Sequence, residues 1–257
     1  MSFEMEGGCR VFGLREGKAS RKEGLRVWRH VGRETGAQAI SFSTLELEAG
    51  SGARWLNAGC DEVFFVLEGK GDVFLDEERH EVGQSAGVFV RPWQEVRIRN
   101  SGRQPLVLLD SRCPDPGPGL SFDSRRAAAP SGGGPAVVRF EDQPVARAGD
   151  GRSFRVLVDS RIGCEQTTQF VGFVPPGRAP DHFHEYEEVV CILEGEGLFW
   201  SGRESAPIAA GTCVYLPRRQ PHCVENRGDS PLSHYGLFSP AGSPAVRYAP
   251  DGISATR

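Results

Sequence analysis

Long apolar runs, lysine and paired-cysteine motifs are what this 257-residue chain has least of, and each shortage removes a class of function. No stretch approaches the roughly 18 to 20 apolar residues that a membrane span needs. Residues 1–10 place no apolar segment behind a basic one, so neither membrane insertion nor secretion is expected. Among 30 basic residues only Lys18, Lys22 and Lys70 are lysine, an arginine excess that reads as codon bias. With a formal net charge of −4 and no basic stripe, the chain has no footprint for nucleic acid. Seven cysteines, an odd number without a C-x-x-C pair, argue against a disulfide framework and a thiolate zinc site. A cytoplasmic, reducing setting is therefore expected, with Cys191 and Cys213 as buried, unreactive thiols in apolar strands. Helical periodicity is missing too, except at 124–129, where a short helix would fit.

What the chain has instead is strand. Short runs rich in β-branched and aromatic residues, at 63–67, 88–91, 106–110, 168–174, 189–193 and 212–216, alternate with glycine and proline. One of these runs occurs twice. Asp61-Glu62-Val63-Phe64-Phe65-Val66-Leu67-Glu68-Gly69-Lys70-Gly71 returns as Glu187-Glu188-Val189-Val190-Cys191-Ile192-Leu193-Glu194-Gly195-Glu196-Gly197, an offset of 126. The repeat predicts one β-rich unit used twice, with the Glu-Gly-x-Gly segments as tight hairpin turns. The expected boundaries are a first barrel at 1–113, a Pro/Gly-rich linker at 114–136 and a second barrel at 137–257.

The second copy carries the chemistry. Gly177-x4-His182-x-His184-x3-Glu188-x6-Gly195 is followed by Gly211-x5-Pro217-x4-His222-x3-Asn226. Residues two apart on a strand share a face, so His182 and His184 aim together while Phe183 aims away. Glu188 keeps that parity, and His222 comes from a distant segment that lets a sheet close around an ion. Three imidazoles and a carboxylate suit one divalent transition metal, among Mn, Fe, Ni, Cu, Co and Zn, better than Ca or Mg.

These two stretches resemble the two motifs of the cupin superfamily, with one departure: Arg219 stands where the second motif usually has glycine. The resemblance implies an all-β chain of two tandem double-stranded β-helix (jelly-roll) barrels, a bicupin, with His182, His184, Glu188 and His222 as the metal ligands. At the same offset the first copy has Leu56, Ala58 and either Val96 or Arg97 where the histidines stand, and retains only Glu62. That barrel is expected to lack metal and to serve as structure or as a metal-free ligand pocket. If Glu62 is buried, Arg97 is its expected partner.

Cupins with this ligand set include dioxygenases, decarboxylases, isomerases and hydrolases, as well as proteins that only bind. A small-molecule enzyme is the leading expectation, with a dioxygenase ahead of redox-neutral lyase or isomerase chemistry; a non-catalytic binding or regulatory cupin is the alternative. The expected partners are a small-molecule substrate and at most a second copy of the chain in a homodimer.

Candidates for catalysis beside the metal are Tyr186, Glu187 and His234. Tyr186 and Glu187 fall between ligands but are read as lying outside the barrel. Of His234 and Tyr235, adjacent in one strand, one must face inward. Between residues 166 and 173, the inward face is expected to supply pocket polarity. Arg218 and Arg219 could meet an anionic substrate, although a solvated turn is the first reading.

Overall fold

The computed structural model describes residues 2–119 and 134–250; most of the expected linker and the expected short helix at 124–129 lie outside them. Apart from three short 3-10 turns, the described residues with regular structure are β-strand. No helix among them is long and apolar enough to cross a membrane.

The chain forms two compact units, each made of two antiparallel sheets. One comprises residues 17–142 and 157–167, the other residues 1–16, 143–156 and 168–257. They are therefore not the contiguous spans that the repeat suggests. Strand Arg10–Gly13 pairs with Thr212–Leu216, so the start of the chain adds an edge to the second barrel's large sheet. In return, Val137–Val138 pairs with Gly87–Val90 of the first. A strand's partner is set by where an open row of backbone N–H and C=O groups lies, and that is a tertiary fact.

The Glu-Gly-x-Gly segments are corners, not hairpins. Strands Asp61–Glu68 and Lys70–Leu75 follow one another across Gly69 yet belong to different sheets, as do Glu187–Glu194 and Glu196–Ser201 across Gly195. Both glycines take positive φ, 83° and 92°. A Cβ on Gly69 would stand 2.5 Å from the Pro105 carbonyl oxygen, so the corner excludes a side chain as well as favouring glycine's conformation.

Inside the first barrel the metal position of the repeat is filled. Trp55 pairs with Val96, as His182 pairs with His222 in the second barrel, so Trp55 and Val96 are the structural counterparts of that histidine pair. Simple offset counting names Leu56, one residue away and on the opposite face. The Trp55 indole donates its Nε1 hydrogen to Glu62, which is fully buried. Arg112, not Arg97, is the ion partner of Glu62: its Nε donates to Glu62 Oε1 at 2.9 Å. Arg97 instead lies over the Phe74 ring at 3.9 Å. Burial pushes the Glu62 carboxyl up to about 8, against the pull of Arg112.

One cysteine expectation is overturned. Cys191 and Cys213 are directly opposed across the strand pair Glu187–Glu194 and Thr212–Leu216, with Cα atoms 4.1 Å apart, and they form a disulfide. Parity counting placed both in strands but could not supply the register that joins them. The other five cysteines, all among the described residues, are buried and outside any disulfide. Denatured protein without reductant should therefore label five thiols, and seven after reduction. The bridge closes a separation of 22 residues, so Cys213→Ala should cost about 3 kcal/mol in urea unfolding on the loop-entropy account. Seven reactive thiols without reductant would refute the pairing.

Candidate metal centre

Three histidines are brought together by backbone pairing. His182 and His222 form an isolated antiparallel bridge, exchanging N–H···O bonds of 3.0 and 2.8 Å, which places their side chains on one face. His184 is two residues on, and its carbonyl accepts from the Arg219 N–H at 2.7 Å. Ring centroids lie 4.6 to 5.2 Å apart. One ligand nitrogen from each of the three lies within 4.8 Å of the others.

The tautomers follow from the hydrogen bonds. Nδ1 of His182 faces the Pro180 carbonyl at 3.0 Å, that of His184 the Val246 carbonyl at 2.9 Å, and that of His222 the Gln220 carbonyl at 2.9 Å. A carbonyl can only accept, so each Nδ1 carries the proton and each Nε2 keeps its lone pair. Burial, and for His182 and His184 also the neighbouring histidines, holds those two imidazoles far below their usual pKa; burial lowers His222 to about 4. Three neutral, fixed imidazoles whose Nε2 atoms have no hydrogen-bond partner among the described residues are a fitting donor set for a transition metal.

Glu188 sits beside them at the start of strand Glu187–Glu194, its carboxylate 3.7 Å from His184 Nε2. Burial raises it to about 8, with Arg152 opposing the rise. A buried carboxylate so placed would gain more from a cation than from water.

A cavity of about 70 Å³ opens on this cluster. It holds several waters or a ligand of a few heavy atoms, well short of a drug-sized pocket. Besides the metal-ligand candidates, Arg152, Phe154, Phe170, Tyr186 and His234 line it. The Tyr186 phenol ring stacks on His184, with centroids 4.5 Å apart, and on Phe238 at 4.0 Å, so this residue lies inside, contrary to the reading that put it outside the barrel. Burial and the neighbouring Glu188 keep the phenol protonated.

His234, rather than Tyr235, is the inward residue of its strand. It lies across from Gly172, where a Cβ would stand 2.4 Å from His234 Nε2, and its imidazole is lowered to about 4 by burial. Phe170, Gly172 and Val174 supply the inward face of strand Thr168–Val174, making that wall apolar instead of polar.

Glu187 does not reach the cavity. It is buried on the opposite face, where it hydrogen-bonds Tyr215. Arg218 and Arg219 do not line the cavity either, and Arg219 ion-pairs with Glu185 at 2.8 Å. Its φ of 62° explains why the motif position usually holds glycine.

Arg152 is the pocket residue that sequence reasoning missed. Its neighbours, Gly149-Asp150-Gly151-Arg152-Ser153, carry no local signal for a pocket residue, and only the fold brings Arg152 into the same cavity lining as Glu188. It is the one cationic side chain among the described residues lining the cavity.

Two stretches, residues 42–112 and 169–236, match the family profile described as Cupin domain. The chain belongs to the cupin family. Because the domain occurs twice, it is a bicupin. An uncharacterized protein, MJ1618, of Methanocaldococcus jannaschii is 41% identical over 46 residues, 18% of this chain and 37% of that protein. The oxalate-binding protein of Thermotoga maritima is 34% identical over 67 residues, 25% of this chain and 55% of that protein. The chain thus matches only about a third to a half of these curated relatives' length.

Among solved structures, a glyoxylate-induced protein of Pseudomonas aeruginosa superposes with a TM-score of 0.73 at 17% identity, covering 93% of this chain and 91% of that one. An oxalate decarboxylase of Bacillus subtilis, a protein with Mn(II) centres, gives 0.70 at 14% identity over 89% of this chain and 76% of that one. At these identities the likeness speaks for the fold alone.

The donor set predicts a proton balance. Below about pH 8 the Glu188 carboxyl of the metal-free protein is protonated, while the imidazoles are already neutral at pH 6 to 7. Binding a cation must then expel about one proton, and metal affinity should rise roughly tenfold per pH unit up to about 8. Calorimetry of Mn(II) or Zn(II) binding in buffers of different ionisation enthalpy measures this directly. Glu188→Gln should bind more weakly and without proton release. His184→Ala and His222→Ala should lose stoichiometric metal, and full occupancy in both would refute the site.

Proposed function

We propose that the second barrel of this bicupin is the active site of a metal-dependent enzyme acting on a small organic acid. The observation that carries this reading is Arg152, set with the three histidines and Glu188 around a cavity of about 70 Å³. A divalent transition metal held by His182, His184, Glu188 and His222 would supply Lewis acidity, or a site for O2, at the floor of that cavity.

The protein's own residues would do the remainder. Arg152 binds and orients the carboxylate through charge-assisted hydrogen bonds. Phe154, Phe170 and Phe238, packed together with Tyr186, exclude water. The Tyr186 phenol is a proton donor, and His234, neutral at physiological pH, is a proton acceptor, both within the same cavity wall. Glu187 drops out of the catalytic candidates because it faces the other way.

The oxalate named in one curated relative and in solved neighbours agrees with a ligand of this size and charge. It moves the preference from the dioxygenase expected from sequence towards carbon–carbon bond chemistry at a carboxylate, such as decarboxylation. A second reading, a protein that binds such an acid without turning it over, is favoured by the 34% identity to an oxalate-binding protein.

Metal-loaded protein incubated with oxalate, glyoxylate and malonate, with O2 uptake and CO2 release followed together, separates these readings. CO2 release without O2 uptake supports the decarboxylase, O2 consumption the dioxygenase, and saturable binding without either the binding protein. Arg152→Met should raise KM or Kd for the acid about 10- to 100-fold, the loss of a charged hydrogen bond, with metal content unchanged. Unaltered affinity in Arg152→Met would remove the carboxylate from the proposal.

A further inference from the structure

The first barrel contains a cleft of about 500 Å³, built from none of the residues of the metal centre. Its wall is the inner face of that barrel's large sheet. Arg29, Ser43 and Asp110 stand in one cross-strand row, and Ser41 and Arg112 in the next, which continues to Glu62. The corresponding positions of the second barrel are Phe170 opposite Gly236, and Phe238 opposite Glu188. Arg112 stands where the second barrel has Phe238, and Asp110 where it has Gly236, so the first barrel is charged at positions that are aromatic or lack a side chain in the second.

Burying charge there costs more than apolar packing would, and the local bonding is incomplete. Arg112, with a side chain 6% exposed, donates Nε to Glu62 and Nη1 to the Gly119 carbonyl at 3.2 Å. Its Nη2 lies 2.9 Å from Glu62 and 3.4 Å from Asp110 but is aligned for a hydrogen bond with neither. Asp110 Oδ1 is likewise buried with no hydrogen-bond partner among the described residues. Arg112 and Asp110 form the floor of the cleft, and these two atoms lie just beneath its surface with their hydrogen-bonding capacity unused. Around the opening stand the exposed side chains of Lys18, Arg21 and Lys22. Arg29 is committed to Glu34 and Asp115 and serves as wall.

We propose that this cleft binds a small hydroxylated dicarboxylate, one carboxylate meeting Arg112 at the floor, the other Lys18 and Arg21 at the rim, with the hydroxyl donating to Asp110. Cations outnumber the single acid on its lining, which selects an anion. Two cationic levels select a dianion, and the unpaired Asp110 oxygen selects a donor on its chain. The volume falls within the usual range for small-ligand sites. This site makes the first barrel a binding module independent of the metal chemistry in the second.

The test is calorimetry on the full chain with malate, succinate and lactate. Malate should bind at least about tenfold more tightly than succinate, which lacks the hydroxyl, and than lactate, which lacks the second acid. The double variant Lys18→Ser/Arg21→Ser, both exposed and remote from the core, should fold normally, keep its metal and weaken malate binding tenfold or more. The double variant His184→Ala/His222→Ala should bind malate as the parent does, which separates this cleft from the metal centre. Arg112→Lys should abolish binding, but it also disturbs Glu62, so the rim variant is the decisive one. No malate binding up to about 10 mM, binding that survives loss of Lys18 and Arg21, or binding lost with the metal-site histidines would overturn the proposal.

Discussion

The backbone bridge between His182 and His222 is the contact on which the site depends. Two extended segments far apart in sequence are held in register by two reciprocal backbone hydrogen bonds, and side-chain direction on a strand follows register without further choice. With that pair fixed, His184 falls two residues along the same face, and the Nδ1 bonds to carbonyl oxygens lock all three rings with Nε2 turned inward. None of these carbonyls comes from a side chain. The site is therefore pre-organised by the main chain, and its precision depends on the sheet rather than on rotamers of flexible residues.

The same frame, built a second time, shows how few positions decide the outcome. Trp55 and Val96 stand where the second barrel has His182 and His222, and Arg112 stands where it has Phe238. Only the carboxylate is common to both, Glu62 in one and Glu188 in the other. An indole N–H can only donate and valine has no ligand atom, so Glu62 turns to hydrogen bonds and an ion pair instead of a metal. A duplicated fold thus carries two different electrostatic solutions to one buried carboxylate.

What the sequence made legible was what depends on local spacing: the alternation that groups His182 with His184, the eleven-residue repeat and the glycine positions. What it concealed depends on register and partner choice. Offset counting lands on Leu56 in place of Trp55 because a gap of one residue turns every side chain to the other face. Tyr186 sits at a bend just before its strand begins, where parity gives no guide, and it enters the cavity against expectation. The Cys191–Cys213 bridge and the passage of the first strand into the second barrel arise from pairings more than twenty residues apart in the chain. Arg152 has no local signature at all.

That arginine also completes the charge balance of the pocket. The three histidines are neutral, Glu188 supplies one negative charge once a cation is bound, and Arg152 supplies one positive. A divalent ion would leave a surplus of about two positive charges in a small, largely aromatic cavity, where water screens poorly. Neutral substrates would leave that surplus uncompensated. An anionic ligand small enough to fit would offset it, since Arg152 and the metal-ligand candidates line the same cavity. On the proposed reading, a cavity of about 70 Å³ beside the metal-ligand candidates then favours small anions over large ones.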